Sequence, residues 1–120
     1  MTPHIEQTAF GSITIEGEVR EYDVLIRLDG QVKKRKKKLS KAVYGTSHIL
    51  SLDEARHIYE PGAKRLIIGT GQYDSVRPSD EAASYFQRKQ CQVELLATPQ
   101  AIQAWNESKG KVMGLFHVTR

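Results

Sequence analysis

The chain has 120 residues, enough for one domain that buries roughly two thirds of its unfolded surface. A hydrophobic fraction of 39% and a charged fraction of 27% exclude a disordered chain, and a lone cysteine, Cys91, excludes an internal disulfide. The formal charge of +4 is unevenly placed: residues 33–41 hold seven of the 18 basic side chains and no acid, leaving 11 basic against 14 acidic residues elsewhere.

In chain order, FGSITIEG (10–17) and YDVLIRL (22–28) alternate as strands, the second with Tyr22, Val24, Ile26 and Leu28 on one face and Leu25 on the other. Asp29-Gly30 tolerates the positive φ of a two-residue hairpin turn, and QVKKRKKKL is the predicted returning strand. Ser51 and Glu54 fit a capping box opening a helix over 52–59, which Pro61-Gly62 ends. RLIIGTG (65–71) is apolar enough for a strand buried on both faces. Ser79, Asp80 and Glu81 open the next helix, and QVELLA (92–97) is the next strand. Thr98 as N-cap with Pro99 at the first helical position, and Gly110 beyond the end, frame a last helix before the strand KVMGLFHV. Strand–helix–strand–helix–strand with short connections predicts parallel strands. The fold class is α/β, a sheet flanked by helices with an N-terminal β-hairpin region, in one domain spanning 1–120. No run approaches 18 apolar residues, and residues 1–15 lack a signal-peptide pattern, so a soluble, cytoplasmic protein with no membrane partner is expected.

The stretch KKRKKK (33–38) asks whether it binds anions or only stays wet. As a strand it shows Lys33, Arg35 and Lys37 on one side and Lys34, Lys36 and Lys38 on the other, about 6.6 Å apart. Each same-face pair costs roughly 0.6 kcal/mol in water, so the repulsion is tolerable. A two-residue turn would set Asp23 opposite Lys36, Glu21 opposite Lys38, and Lys33, Arg35 and Lys37 beside the apolar row; a shift by one puts Lys34, Lys36 and Lys38 there instead. An exposed edge strand blunted by lysines is one reading. The other is a polyanion site, RNA or DNA, with Lys33, Lys34, Arg35 and Lys37 as contacts. No aromatic residue interrupts 33–41, so the run itself offers no stacking platform.

A second candidate is a small-ligand or enzymatic pocket. Gly69-Thr70-Gly71 lacks the third glycine of a dinucleotide fingerprint, since position 74 is Asp74. Thr70 and Thr98 fall at carboxyl ends of strands, where α/β sheets bind ligands. Thr46, Ser47, His48, Gly69, Thr70, Gly71 and His117 are the pocket candidates, provided that His48, Thr70 and His117 converge. No catalytic residue is assigned. The four histidines and Cys91 show no metal spacing, and neither a metal nor a cofactor is expected.

YGTSHILS (44–51), RLIIGTG (65–71), ATPQAIQAWN (97–106) and the ending GLFHVT (114–119), in that order, resemble a family of small proteins. It includes uncharacterised archaeal and bacterial members, the human adipogenesis-associated domain protein and mitochondrial respiratory complex I assembly factor three. The similarity is strongest to the archaeal members, which also carry a basic strand before the YGTSH loop. The resemblance implies a three-layer α/β domain with a mixed central sheet and extra N-terminal strands. It implies no established catalysis; the better studied relatives act through protein partners in assembly or regulation. This chain departs from the family in having Arg120 where many members end in cysteine, and Asp74-Ser75 where many have a further glycine. The expected function is thus a non-enzymatic interaction or assembly domain with a protein partner. Nucleic-acid binding is the alternative, and the ligand pocket a second one.

Overall fold

The computed structural model describes residues 2–119; Arg120, the position of the expected family cysteine, lies outside the described residues. Ile5–Ala9 (β1), Ser12–Ile15 (β2) and Glu18–Arg20 (β3) form an antiparallel three-stranded sheet. The strand expected over 10–17 is shorter, because turns interrupt it at both ends. Glu16 and Gly17 both take positive φ, the geometry of a tight hairpin turn. β1 and β3 carry too few apolar residues for periodicity to mark them as strands.

Val24–Ile26 (β4) and Val32–Lys34 (β5) make the next hairpin, and its turn differs from the expected one. Gly30 N donates to Arg27 O and Arg27 N donates to Gln31 O, both at 2.9 Å, so the loop has three residues, with Gly30 at φ 89°. That extra residue moves the register by one. Lys34 stands opposite Val24, and Arg35, not Lys36, faces Asp23. The expected Asp23–Lys36 and Glu21–Lys38 pairs are absent among the described residues.

The basic run does not stay in the sheet. After Lys34 the chain turns into a helix, Lys38–Tyr44 (α1), closed by Gly45 at φ 71°. The predicted returning strand thus holds only for Val32–Lys34. Then follow Ile49–Leu50 (β6) and Leu52–Ile58 (α2). Ser51 Oγ accepts from Glu54 N, half of the expected capping box; the Glu54 carboxylate is used elsewhere. Arg65–Thr70 (β7), Arg77–Pro78 (β8), Asp80–Arg88 (α3), Gln92–Leu96 (β9), Thr98–Glu107 (α4) and Val112–His117 (β10) complete the order. Ser79 caps α3 as expected, its side chain accepting from Ala82 N. The cap of α4 lies one residue early, at Ala97, because the Thr98 hydroxyl is engaged across the sheet.

The central sheet runs β5-β4-β10-β7-β9. β10, β7 and β9 are parallel, whereas β4 and β5 are antiparallel to their neighbours, so the sheet is mixed. Period-two alternation splits its apolar side chains between two cores. Leu25, Leu66, Ile68, Met113 and Leu115 pack with α2 and α3 on one face. Val24, Ile26, Ile67 and Phe116 pack on the other face with Trp105 of α4 and Ile13 and Ile15 of the N-terminal sheet. This is a three-layer α/β architecture with a mixed sheet and added N-terminal strands. Trp105 lies edge-on to Phe116, ring centroids 5.8 Å apart, over Gly114, where a Cβ would come within 3.0 Å of the indole. Trp105 Nε1 donates to Pro3 O, and Asn106 exchanges two hydrogen bonds with the Ile5 backbone, fastening the N-terminal sheet to α4. Cys91 is buried in the first core, and burial pushes its thiol pKa up, so it packs as a small hydrophobe.

Candidate functional site

Arg35 is only 4% exposed. This corrects its assignment as a polyanion contact: its N–H groups are already spent inside the protein. Nε and Nη2 form a fork on Glu54 at 2.7 and 3.0 Å, Nη1 donates to Asp23 Oδ2 at 3.0 Å, and Nη2 also donates to Ser47 O at 2.8 Å. Glu54 accepts further from the Ser40 hydroxyl, which in turn accepts from Ser51 N. Taking a guanidinium out of water lowers its pKa, but Glu54 and Asp23 outweigh that and raise it.

The network continues through Asp23 to the carboxyl end of β10. Asp23 Oδ1 accepts from Val118 N at 3.0 Å, and Oδ2 sits 2.7 Å from His117 Nδ1. Burial alone would raise the Asp23 pKa; the His117 hydrogen bond and charge, the Val118 amide and Arg35 together hold it below the usual carboxylate value. An ionised carboxylate only accepts, so His117 Nδ1 carries the proton. The other ring nitrogen, Nε2, lies 3.1 Å from Thr119 Oγ1. His48 lies edge-on to His117, centroids 5.3 Å apart.

Of the seven pocket candidates, His48 and His117 do meet. Thr70 stands beside His117 in the parallel register, but its hydroxyl is engaged by Asp74 and Leu96 O. Gly69 faces the opposite core, where a Cβ would lie 2.9 Å from the Thr98 hydroxyl. Gly71, at φ 104°, donates its N–H to that same hydroxyl, which itself donates to His117 O. Thr46 Oγ1 accepts from His48 N, and Ser47 contributes its carbonyl to Arg35. His48 is thus tied to Thr46, and Gly71 to His117 through the Thr98 hydroxyl. Among the described residues, no group of His, Cys, Asp or Glu is arranged to hold a metal.

The remaining cations of the run form a different surface. Lys34, Arg35, Lys36, Lys37, Lys38 and Lys41 line one hollow of about 420 Å³, and no acid lines it. A second hollow of about 370 Å³ adjoins it through Lys34 and Lys36, adding Arg27, Lys33 and His57. Among the described residues, none of Lys33, Lys34, Lys36, Lys37, Lys38 and Lys41 has a carboxylate within 4.0 Å. Burial, then Lys36 and Arg27, lower the His57 pKa against a weaker pull from Glu54. The start of α1 carries Lys37 and Lys38, has no acid in its first turn and no side-chain cap. Cations there oppose the helix dipole. Lys36, Lys38 and Lys41 fall outside the contacts that the sequence suggests, because strand alternation does not describe a chain that turns into a helix. The lysine density of the stretch is the signal that includes them.

A family model described as protein of unknown function (DUF498/DUF598) matches residues 5–117. The chain is similar to a conserved hypothetical protein from Pyrococcus horikoshii OT3: 28% identity, TM-score 0.88, covering 97% of this chain and 98% of that one. It is similar to the structure named MT938: 29% identity, TM-score 0.82, covering 99% and 100%. A Bordetella pertussis protein described as a Mth938-like domain shares the fold at 13% identity and TM-score 0.64, covering 97% and 85%. No curated protein matches the chain.

Proposed function

The chain belongs to the DUF498/DUF598 family of proteins of unknown function, and on that premise we propose that it is a non-enzymatic binding module whose working surface is the lysine face. The observation that carries this is the hollow lined by Lys34, Lys36, Lys37, Lys38 and Lys41 with no acid in its wall. These cations stand together without carboxylate neighbours, two of them at the wrong end of a helix. A polyanion relieves both the mutual repulsion and the dipole conflict, and it releases counterions on binding. Nucleic acid is the polyanion this chemistry fits. The motif resemblance to the adipogenesis-associated domain protein and to complex I assembly factor three supports a module that works by binding.

The test is fluorescence anisotropy with a labelled oligonucleotide at low salt, using the wild type and a Lys36→Glu/Lys38→Glu variant. The wild type binds and the variant does not. A wild type that fails to bind at low salt overturns the reading.

A second reading, a ligand or enzymatic site at the end of β10, has one observation in its favour. Thr119, His117 and Asp23 line up as hydroxyl, imidazole and carboxylate, the order of a nucleophile, base and orienting acid. Hydrolysis of an activated ester that disappears in His117→Gln would support it; equal rates for both proteins would remove it.

A further inference from the structure

We infer that the nucleic acid bound by the lysine face is single-stranded, with an unpaired base stacked on Tyr22. This rests on the polyanion reading above and narrows it. Single-strand binders combine a basic groove for the backbone with an exposed aromatic face for the bases. The basic run contains no aromatic residue, but the fold brings one to it. Tyr22 precedes β4, next to Asp23, whose carbonyl accepts from Arg35 N in the basic run. Tyr22 is 37% exposed, and the Lys34 ammonium stands 5.6 Å from its ring centroid. Lys34 lines both hollows, so the aromatic face adjoins one of the two residues they share. At the far end of the run Tyr44 is also exposed, three residues beyond Lys41 on α1 and therefore on the same side of that helix.

A duplex keeps its bases paired and turned inward, and it would offer this surface only phosphates. An unpaired strand offers phosphates to the lysines and a π-face to Tyr22, so it gains from both. A polyanion without bases gains only from the lysines.

The experiment compares a short labelled oligodeoxythymidylate, a duplex of the same length and heparin, at one salt concentration. The single strand binds more tightly than the duplex. Tyr22→Ala lowers single-strand affinity roughly 5- to 150-fold, the range of one lost base–aromatic stack, and leaves heparin affinity unchanged. Tyr22→Phe retains single-strand affinity, because the ring and not the hydroxyl does the stacking. As a check that needs no variant, the Tyr22 ring protons of the wild type shift upfield on adding oligodeoxythymidylate but not heparin. Equal single-strand and duplex affinities, an unchanged single-strand affinity in Tyr22→Ala, or a parallel loss for heparin overturns the inference and leaves the polyanion reading standing. If heparin and both nucleic acids fail to bind, the parent reading falls and this one with it.

Discussion

Arg35 faces Asp23 across the β4–β5 hairpin, backbone to backbone at 2.9 Å and guanidinium to carboxylate at 3.0 Å. The pair sits in the middle of a buried chain running from Ser40 through Glu54 to His117. One residue in the Leu28–Gly30 turn decides this. With a two-residue loop, Arg35 would face Val24 and a lysine would take its place. A lysine ammonium cannot fork onto Glu54 while also reaching Asp23 and Ser47 O. The single arginine of the KKRKKK run is therefore structural, and its lysine neighbours are left for the surface.

Removing one member of a buried ion pair leaves an uncompensated charge. Arg35→Ala is expected to destabilise the fold by about 3–5 kcal/mol, and Arg35→Lys to recover little of that. Denaturant midpoints measure it. A loss under about 1 kcal/mol would show that the network is solvated.

The Asp23 carboxyl titrates below its unfolded value of 3.8. Its contribution to stability is fully present above that value. It is lost as pH falls further, through the lower folded pKa, because the unfolded chain takes up the proton first. Thermal melts taken from mildly acidic to strongly acidic solution should show a steep acid limb that Asp23→Asn flattens.

At the start of α1, stability and binding conflict. Lys38→Glu puts an acid in the first turn and thins the lysine cluster, so it is expected to raise stability by roughly 0.3–1 kcal/mol while weakening nucleic-acid binding. Melting temperature and anisotropy on the same sample test both signs. A substitution that raises stability without touching affinity would place the bound strand elsewhere.

His57 borders the second hollow, and its pKa is held below 6.5 by burial and by Lys36 and Arg27. Without ligand, its contribution to stability is complete well above that value and declines as the unfolded histidine protonates on the way down, before the folded one does. A bound phosphate offsets the two cations and raises the His57 pKa. Affinity should therefore increase as pH drops from about 7 to about 5, the range in which histidine titrates, and His57→Gln should remove that increase. An identical pH profile in the variant would count against His57 lying at the interface.

The parallel strands and the last three helices are legible in the sequence because their signals are local. RLIIGTG is apolar throughout, Ser51 and Ser79 cap where capping residues belong, and Pro99 opens α4. α1 is not, since a lysine-saturated start without an N-cap looks like more strand, and only Gly45 marks its end. Burial of Arg35 is hidden for a different reason. Its partners Asp23 and Glu54 lie 12 and 19 residues away, and a hairpin loop one residue longer than Asp29-Gly30 suggests brings the first of them opposite. The meeting of His48 and His117 is anticipated only as a condition, and Asp23 as the residue that fixes the imidazole is missed. The sequence places it on a strand opposite Lys36, and nothing local points to His117.

The salt dependence of nucleic-acid binding tests the central claim most directly. If Lys34, Lys36, Lys37, Lys38 and Lys41 each neutralise a phosphate of a single strand, log K against log salt should fall with a slope of about −3.5, and each Lys→Ala change should make it shallower by about 0.7. A slope that these substitutions leave unchanged would contradict the account.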